Sequence, residues 1–103
     1  MSTVQITLPR KKINEFCRRW NVVEFSLFGS ALRADFKPHS DIDVLVTFAP
    51  KSQIGLFEIA QMQIELEGVF KRPVDLVEKA SLRNPYRRRE ILQTAKVINT
   101  IDF

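Results

Sequence analysis

The sequence predicts an α/β (α+β) fold, a small mixed β-sheet flanked by helices, on two observations. Three short runs rich in β-branched and aromatic residues, over 22–28, 41–48 and 73–77, alternate with three stretches whose apolar residues recur at helical spacing. Gly, Pro, Ser and Asn punctuate the joins between them. The 103 residues are expected to form a single domain over 1–103. A chain of this length hides roughly 60–70% of its unfolded surface, enough for one modest core but not for a separate substrate-holding domain. An enzyme of this size acting on a large substrate needs a partner to supply binding surface.

The elements follow in order. Val4, Ile6 and Leu8 alternate with polar residues and suit a short edge strand or extended arm. Pro9 suits a first helical turn, where its missing N–H costs nothing, and the helix runs to about residue 20. Its stripe is Ile13, Phe16, Cys17 and Trp20 at i, i+3, i+4, i+7, which makes Cys17 and Trp20 core residues. A strand over 22–28 stops at Gly29-Ser30, and residues 31–36 suit a short helix before the turn-like Lys37-Pro38-His39-Ser40. The second strand, over 41–48, puts Asp41, Asp43, Leu45 and Thr47 on one face and Ile42, Val44, Val46 and Phe48 on the other. Pro50-Lys51-Ser52 breaks it and caps a long helix from residue 53 to about 69. That helix is polar only on the sector of Glu58, Gln61, Glu65 and Gly68, so part of its wide apolar surface is free to face another chain. After a third strand over 73–77, Asn84 caps a last helix begun by Pro85, with Ile91, Leu92, Ala95 and Ile98 as its inner stripe and Tyr86 packed at its start.

Composition narrows the function classes. At 45% hydrophobic and 27% charged the chain reads as a globular domain. No apolar run approaches the ~18 residues of a membrane span, and the first residues lack the basic start and apolar run of a signal peptide. One cysteine excludes an intrachain disulfide, and a reducing, cytoplasmic setting is expected. Sixteen Lys and Arg against twelve Asp and Glu give a net charge of +4. The clusters at 10–12, 18–19 and 87–89 read as solvated helix faces. The Phe residues fall on apolar stripes and read as core, and His39, without a second His nearby, as a solvated turn residue.

One constellation carries chemistry. Gly29-Ser30 ends a strand, ten residues intervene, and Asp41-Ile42-Asp43 opens the next strand. Asp41 and Asp43 share a face, one pleat apart. If the two strands are antiparallel neighbours, Gly29-Ser30 lies beside both carboxylates. Asp75 is a lone acid in the apolar run Val74-Asp75-Leu76-Val77, and a third strand beside the second brings it to the same place. Each acid alone reads as a solvent-facing strand residue. Three together repel one another unless a cation is present, and hard cations take oxygen ligands shared with phosphates. Glycine lets the backbone approach a phosphate, and Ser30 can donate to it or cap the following helix. Phosphate grip beside three carboxylates fits in-line phosphoryl or nucleotidyl transfer with two ions roughly 3.5–4 Å apart.

The run from Gly29 to Asp43, with the Pro-Val-Asp-Leu-Val strand and the Asn-Pro-Tyr-Arg-Arg-Arg-Glu-Ile-Leu helix, resembles the DNA polymerase beta-like nucleotidyltransferase superfamily, and most its minimal single-domain branch, the MntA-type antitoxins paired with HEPN toxins. The resemblance spans residues 9–98. It implies the polymerase beta-like fold, with Asp41 and Asp43 on both of two Mg²⁺ ions (or Mn²⁺). Asp75 would sit on the catalytic ion and help deprotonate the acceptor, and Gly29, Ser30, Arg33 and Ser40 would hold the nucleotide, ATP. Asp35 also matches a position commonly acidic in such proteins. Ala31 and Ala34 depart from positions where relatives often carry Arg and Gly, which bears on phosphate binding and not on the metal ligands. The implied activity is transfer of AMP from ATP to a tyrosine hydroxyl of a partner HEPN toxin.

Two other classes stay open at this point. The chain can be a non-catalytic antitoxin that neutralises its partner by binding. It can also be a transferase acting on RNA or a small molecule, with 87–89 gripping an anionic acceptor. Relatives with such substrates usually carry extra domains, so direct nucleic-acid or small-molecule acceptors rank last, and no membrane role is expected.

Overall fold

The computed structural model describes residues 8–32 and 41–102. The element order is α1 (Arg10–Trp20), β1 (Val22–Phe28), a 3-10 turn (Gly29–Leu32), β2 (Ile42–Phe48), α2 (Leu56–Phe70), β3 (Val74–Glu78), a second 3-10 turn (Lys79–Ser81), α3 (Pro85–Thr94) and β4 (Lys96–Thr100). The strands form one mixed sheet in the order β3-β2-β1-β4. β1 pairs antiparallel with both β2 and β4, and β2 pairs parallel with β3 across α2.

Alternation along the strands sorts their side chains onto two faces. Phe25 and Leu27 of β1 stand beside Val46 and Val44 of β2 in register, and with Ile42 and Leu76 they meet Ile13, Phe16 and Cys17 of α1 and Met62 and Leu66 of α2. Phe16 and Phe25 meet edge to face, ring centroids 6.0 Å apart. Trp20 fixes the two covering helices to each other: its Nε1 donates to Glu65 Oε2 at 2.7 Å, and the other Glu65 oxygen pairs with Arg19. The opposite face is covered more thinly, by Leu82 and Ile91 over Phe28 and Leu45.

Several sequence expectations need correction. Residues 96–100, expected within the last helix, are the fourth strand. Ala95 ends α3 in an extended conformation, and Lys96, Val97, Asn99 and Thr100 then pair along the open edge of β1. Ile98 is buried as expected but from a strand, and Leu92 is exposed. α2 begins at Leu56, three residues after the expected start. Ser52 belongs instead to a tight turn (its N–H donates to Ala49 O), and extended Gly55 takes the cap position without a side-chain bond. Tyr86 is 85% exposed rather than packed. Glu58 and Glu65 are half-buried, while Leu56, Phe57 and Ile64 of α2 lie open. The helical turn after β1 starts at Gly29 and is of the 3-10 type. The expected arm at 3–7, the rest of the expected helix at 33–36 and the turn at 37–40, with His39, lie outside the described residues. Asn84 caps α3 as expected, its Oδ1 accepting from Tyr86 and Arg87 N–H groups. Among the described residues no helix is long and apolar enough to cross a membrane.

Burial pushes the Cys17 thiol up to about 11, against a smaller lowering by its hydrogen bond with Asn99. The folded chain therefore keeps the proton to higher pH than the unfolded chain, whose thiol ionises near ~8.5. The stabilisation is fully present below that value and is lost as pH rises from there to about 11. The melting temperature is expected to fall more steeply over this window in the native sequence than in Cys17→Ala. Equal slopes in a pH series of thermal melts would remove the thiol from the account.

Candidate active site

β1 and β2 bring together what the sequence separates by ten residues. Phe28 stands opposite Asp43, so Gly29, the next residue, turns away directly over that carboxylate. The turn needs φ of +65° at Gly29, a left-handed conformation that costs a residue with a Cβ about 1–2 kcal/mol. Space imposes a second restriction. A Cβ on Gly29 would lie 2.3 Å from Asp43 Oδ2 and 3.2 Å from its Cγ. Glycine is thus favoured twice over, by its dihedral angle and by the Asp43 carboxylate that a Cβ would have to displace.

The parallel pairing of β2 with β3 sets Asp43 level with Asp75, on strands that run about 4.8 Å apart. Both share the sheet face of Leu45 and Val77, the thinly covered one. Asp43 is half-buried and Asp75 exposed. Asp41 is exposed one residue ahead of β2, where Ile42 N–H donates to Pro73 O at 2.9 Å and locks the starts of β2 and β3 together. Gly29, Asp41, Asp43 and Asp75 therefore gather at one end of the sheet. For Ser30 the backbone falls in the 3-10 turn. Arg33, Asp35 and Ser40, and with them Ala34, lie outside the described residues. The sequence reading did not single out Arg72, a half-buried cation at this same end, next to Pro73. Its only signal was its place three residues before Asp75.

Among the described residues no three His, Cys, Asp or Glu side chains are gathered as a ready metal site. The donor set nonetheless fits a hard divalent cation. Asp43 and Asp75 are level on neighbouring strands, all the acids at this end offer carboxylate oxygens, and the missing Cβ of Gly29 leaves Asp43 its room. A backbone turn beside carboxylates suits a polyphosphate that shares a cation with them.

The double demand on Gly29 separates by mutation. Gly29→Ala is expected to lower the melting temperature by roughly 4–8 °C for each kcal/mol it costs. In an Asp43→Ala background, where the close contact is gone, the same change should cost only the backbone share, about 1–2 kcal/mol. Full additivity in the double-mutant cycle would show that the carboxylate does not set the restriction.

Against this geometry the likenesses to known proteins can be set. Residues 9–98 match the family described as Nucleotidyltransferase domain. Protein adenylyltransferase MntA of Thermococcus cleftensis is 34% identical over 79 residues, 77% of this chain and 75% of that protein. A chain of a toxin-antitoxin crystal structure with AMP-PNP has the same fold at a TM-score of 0.74 and 22% identity, over 91% of this chain and 75% of that one. A chain from the structure of the tri-AMPylated Shewanella oneidensis HEPN toxin in complex with MNT antitoxin does so at 0.65 and 21%, over 89% and 70%. The family match begins just before α1 and ends inside β4, and the Thermococcus relative shares a third of its residues over three quarters of both chains: this chain belongs to the nucleotidyltransferase domain family.

Proposed function

We propose that the chain is a divalent-cation-dependent nucleotidyltransferase that moves AMP from ATP to a tyrosine hydroxyl of a HEPN-domain toxin, and so acts as the antitoxin of a toxin–antitoxin pair. The observation that carries this reading is the level pairing of Asp43 with Asp75 beside a glycine turn at which a Cβ would displace the Asp43 carboxylate. Support for the acceptor comes from the Thermococcus relative, named a protein adenylyltransferase, and from the fold shared with chains of toxin–antitoxin structures, one containing a tri-AMPylated HEPN toxin.

In this mechanism the backbone of Gly29 and Ser30 holds the triphosphate, with the Ser30 hydroxyl, Arg33 and Ser40 assigned to the nucleotide on the resemblance alone. Asp41 and Asp43 would hold two Mg²⁺ or Mn²⁺ ions, and Asp75 the one nearer the acceptor. Such ions, when bound, neutralise the triphosphate and lower the proton affinity of an acceptor oxygen. Asp75 orients the tyrosine hydroxyl and directs its proton away, which matters because a free phenol ionises only near ~10. The phenolic oxygen then forms a bond to the α-phosphorus in line with the departing pyrophosphate, and AMP stays on the tyrosine. Asp43, wedged against Gly29, keeps carboxylate and phosphate grip in fixed relation.

A second reading, neutralisation by occlusion alone, draws on the exposed apolar side of α2. Intact-mass measurement of the HEPN-domain partner after incubation with ATP and Mg²⁺ decides between them. The native chain should add AMP units, and the Asp41→Asn/Asp43→Asn double variant none. Asp75→Asn should cut transfer by more than the roughly 10–100-fold typical of lost outer-shell contacts, while leaving the complex intact. A toxin silenced equally well by Asp75→Asn, with no mass gain, would establish occlusion instead.

A further inference from the structure

β3, the strand that carries Asp75, is an outer strand of the sheet. Ile42 N–H donates to Pro73 O, and Ile42 stands level with Val74. In a parallel ladder alternate residues bond to the neighbouring strand. Pro73, Asp75 and Val77 therefore turn their backbone groups to β2, and Val74, Leu76 and Glu78 turn theirs outward. The outward N–H of Val74 is taken by Glu67 Oε2 at 3.2 Å. The Val74 carbonyl, both backbone groups of Leu76 and the Glu78 N–H are bonded by none of the described residues. These four donors and acceptors follow one another over about 13 Å of strand.

An open groove of about 390 Å³ lies beside them, touching Leu76, Val77 and Glu78 on one side and Ile54, Leu56 and Ile59 on the other. Consecutive strand residues alternate between the two faces, so a space that meets three in a row runs along the edge of the strand and not over one face. The wall is apolar except where Ser81 donates to Glu78 Oε1 at 3.1 Å. The opposite edge of the sheet differs. There Arg10 reaches over from α1 and donates to Ile98 O of β4 at 3.3 Å.

We infer that the outer edge of β3 takes up an extended segment of the partner protein as a fifth strand, and that this segment carries the acceptor tyrosine level with Asp75. The inference rests on the reading above for the acceptor and for the partner, the HEPN-domain toxin. Donors and acceptors that alternate at the strand repeat are matched by extended backbone, and a groove beside them takes a side chain. A residue of the added strand level with Asp75 stands about 4.8 Å from it and turns its side chain to the same face, the one that carries Asp43. The next residue, level with Leu76, turns to the α2 side, where Ile54 and Ile59 line the groove. The segment therefore places a large apolar residue directly beside its tyrosine. A second copy of this chain fits the edge poorly. Two β3 strands paired antiparallel about Leu76 would set both Asp75 carboxylates on one face at the ~7–8 Å diagonal, and like charges there oppose the pairing.

The test reads the edge amides by hydrogen exchange, with AMP transfer followed separately by intact mass. The N–H groups of Leu76 and Glu78 should exchange fast in the free chain and at least about tenfold more slowly with saturating HEPN-domain protein. Those of Asp75 and Val77, bonded to β2, should be slow in both states. The tyrosine that gains AMP should lie in the partner segment whose own amides become protected. Glu78→Pro deletes one outward N–H at a φ of −88°, near that of proline, and is expected to weaken binding about three- to tenfold by calorimetry. Glu78→Gln keeps that N–H and should bind as the native chain does. Leu56→Glu puts a charge on the groove wall at a position 89% exposed, where folding is not at stake, and should also weaken binding at least about threefold. Protection of Leu76 and Glu78 with no AMP transferred upholds the added strand and overturns the transferase. AMP transferred without that protection, or to a tyrosine outside the protected segment, overturns the inference and leaves the transferase standing. An equal loss in Glu78→Gln assigns the effect to the carboxylate, and concentration-dependent protection in the free chain assigns the edge to a second copy. Either result, or failure of the native chain to bind the partner, overturns the added strand.

Discussion

The pairing of Phe25 and Leu27 with Val46 and Val44 fixes the register of β1 against β2, and the carboxylate end depends on that register. Side chains alternate with a period of two, so a slip of one residue would turn Asp43 into the packed face beneath α1 and α2 and push Val44 out. Burial of four apolar side chains, each contributing about 1.5–3 kcal/mol, thus holds a charged group where no apolar driving force would put it. The same register sets Gly29 over Asp43, and the parallel ladder carries it on to Asp75. Apolar residues on the packed face thus determine where the acids stand.

The sheet divides its labour between two faces. On one, α1 and α2 build the main core and are tied together by Glu65, which takes both Trp20 and Arg19. On the other, a small cluster of Phe28, Leu45, Leu82 and Ile91 supports the ends of β1 and β2. Arg88 holds this cover in place by donating to the carbonyls of Lys79 and Leu82, so one member of the basic 87–89 cluster is structural. Among the described residues this thin cover leaves Asp41 and Asp75 exposed and Asp43 half-buried.

Much of this was legible in the residues. β1 was bounded correctly because Gly29 and Asn21 punctuate a run of β-branched and aromatic side chains. The Asp-x-Asp start of β2 and the lone Asp75 pointed to acids at one end of the sheet only in combination, since each alone fits a solvent-facing strand residue. β4 was missed because Ile91, Ala95 and Ile98 satisfy helical spacing as far as the last strand. Only the open edge of β1, a partner some seventy residues away, decides against the helix. The late start of α2 was hidden by Ser52, a good cap used in a turn. No sequence pattern could report the contact between Gly29 and Asp43, because it arises from two chain directions meeting. The exposure of Tyr86 was equally invisible, for an aromatic beside a cap looks the same packed or free.

The placement of β4 has a consequence for how the chain reaches this state. β1 is an inner strand, but its two neighbours come from opposite ends of the remaining sequence: β2 follows within about twenty residues, whereas β4 supplies the other ladder only from Lys96 onward. During synthesis β1, α1, β2 and β3 can assemble while one full edge of β1 stays open, with its backbone donors and acceptors unpaired. Until Ile101 N–H reaches Val23 O, the growing chain carries an apolar edge of the kind that other strands add to. Residues 96–101 are therefore the ones that end the exposure of this edge to aggregation.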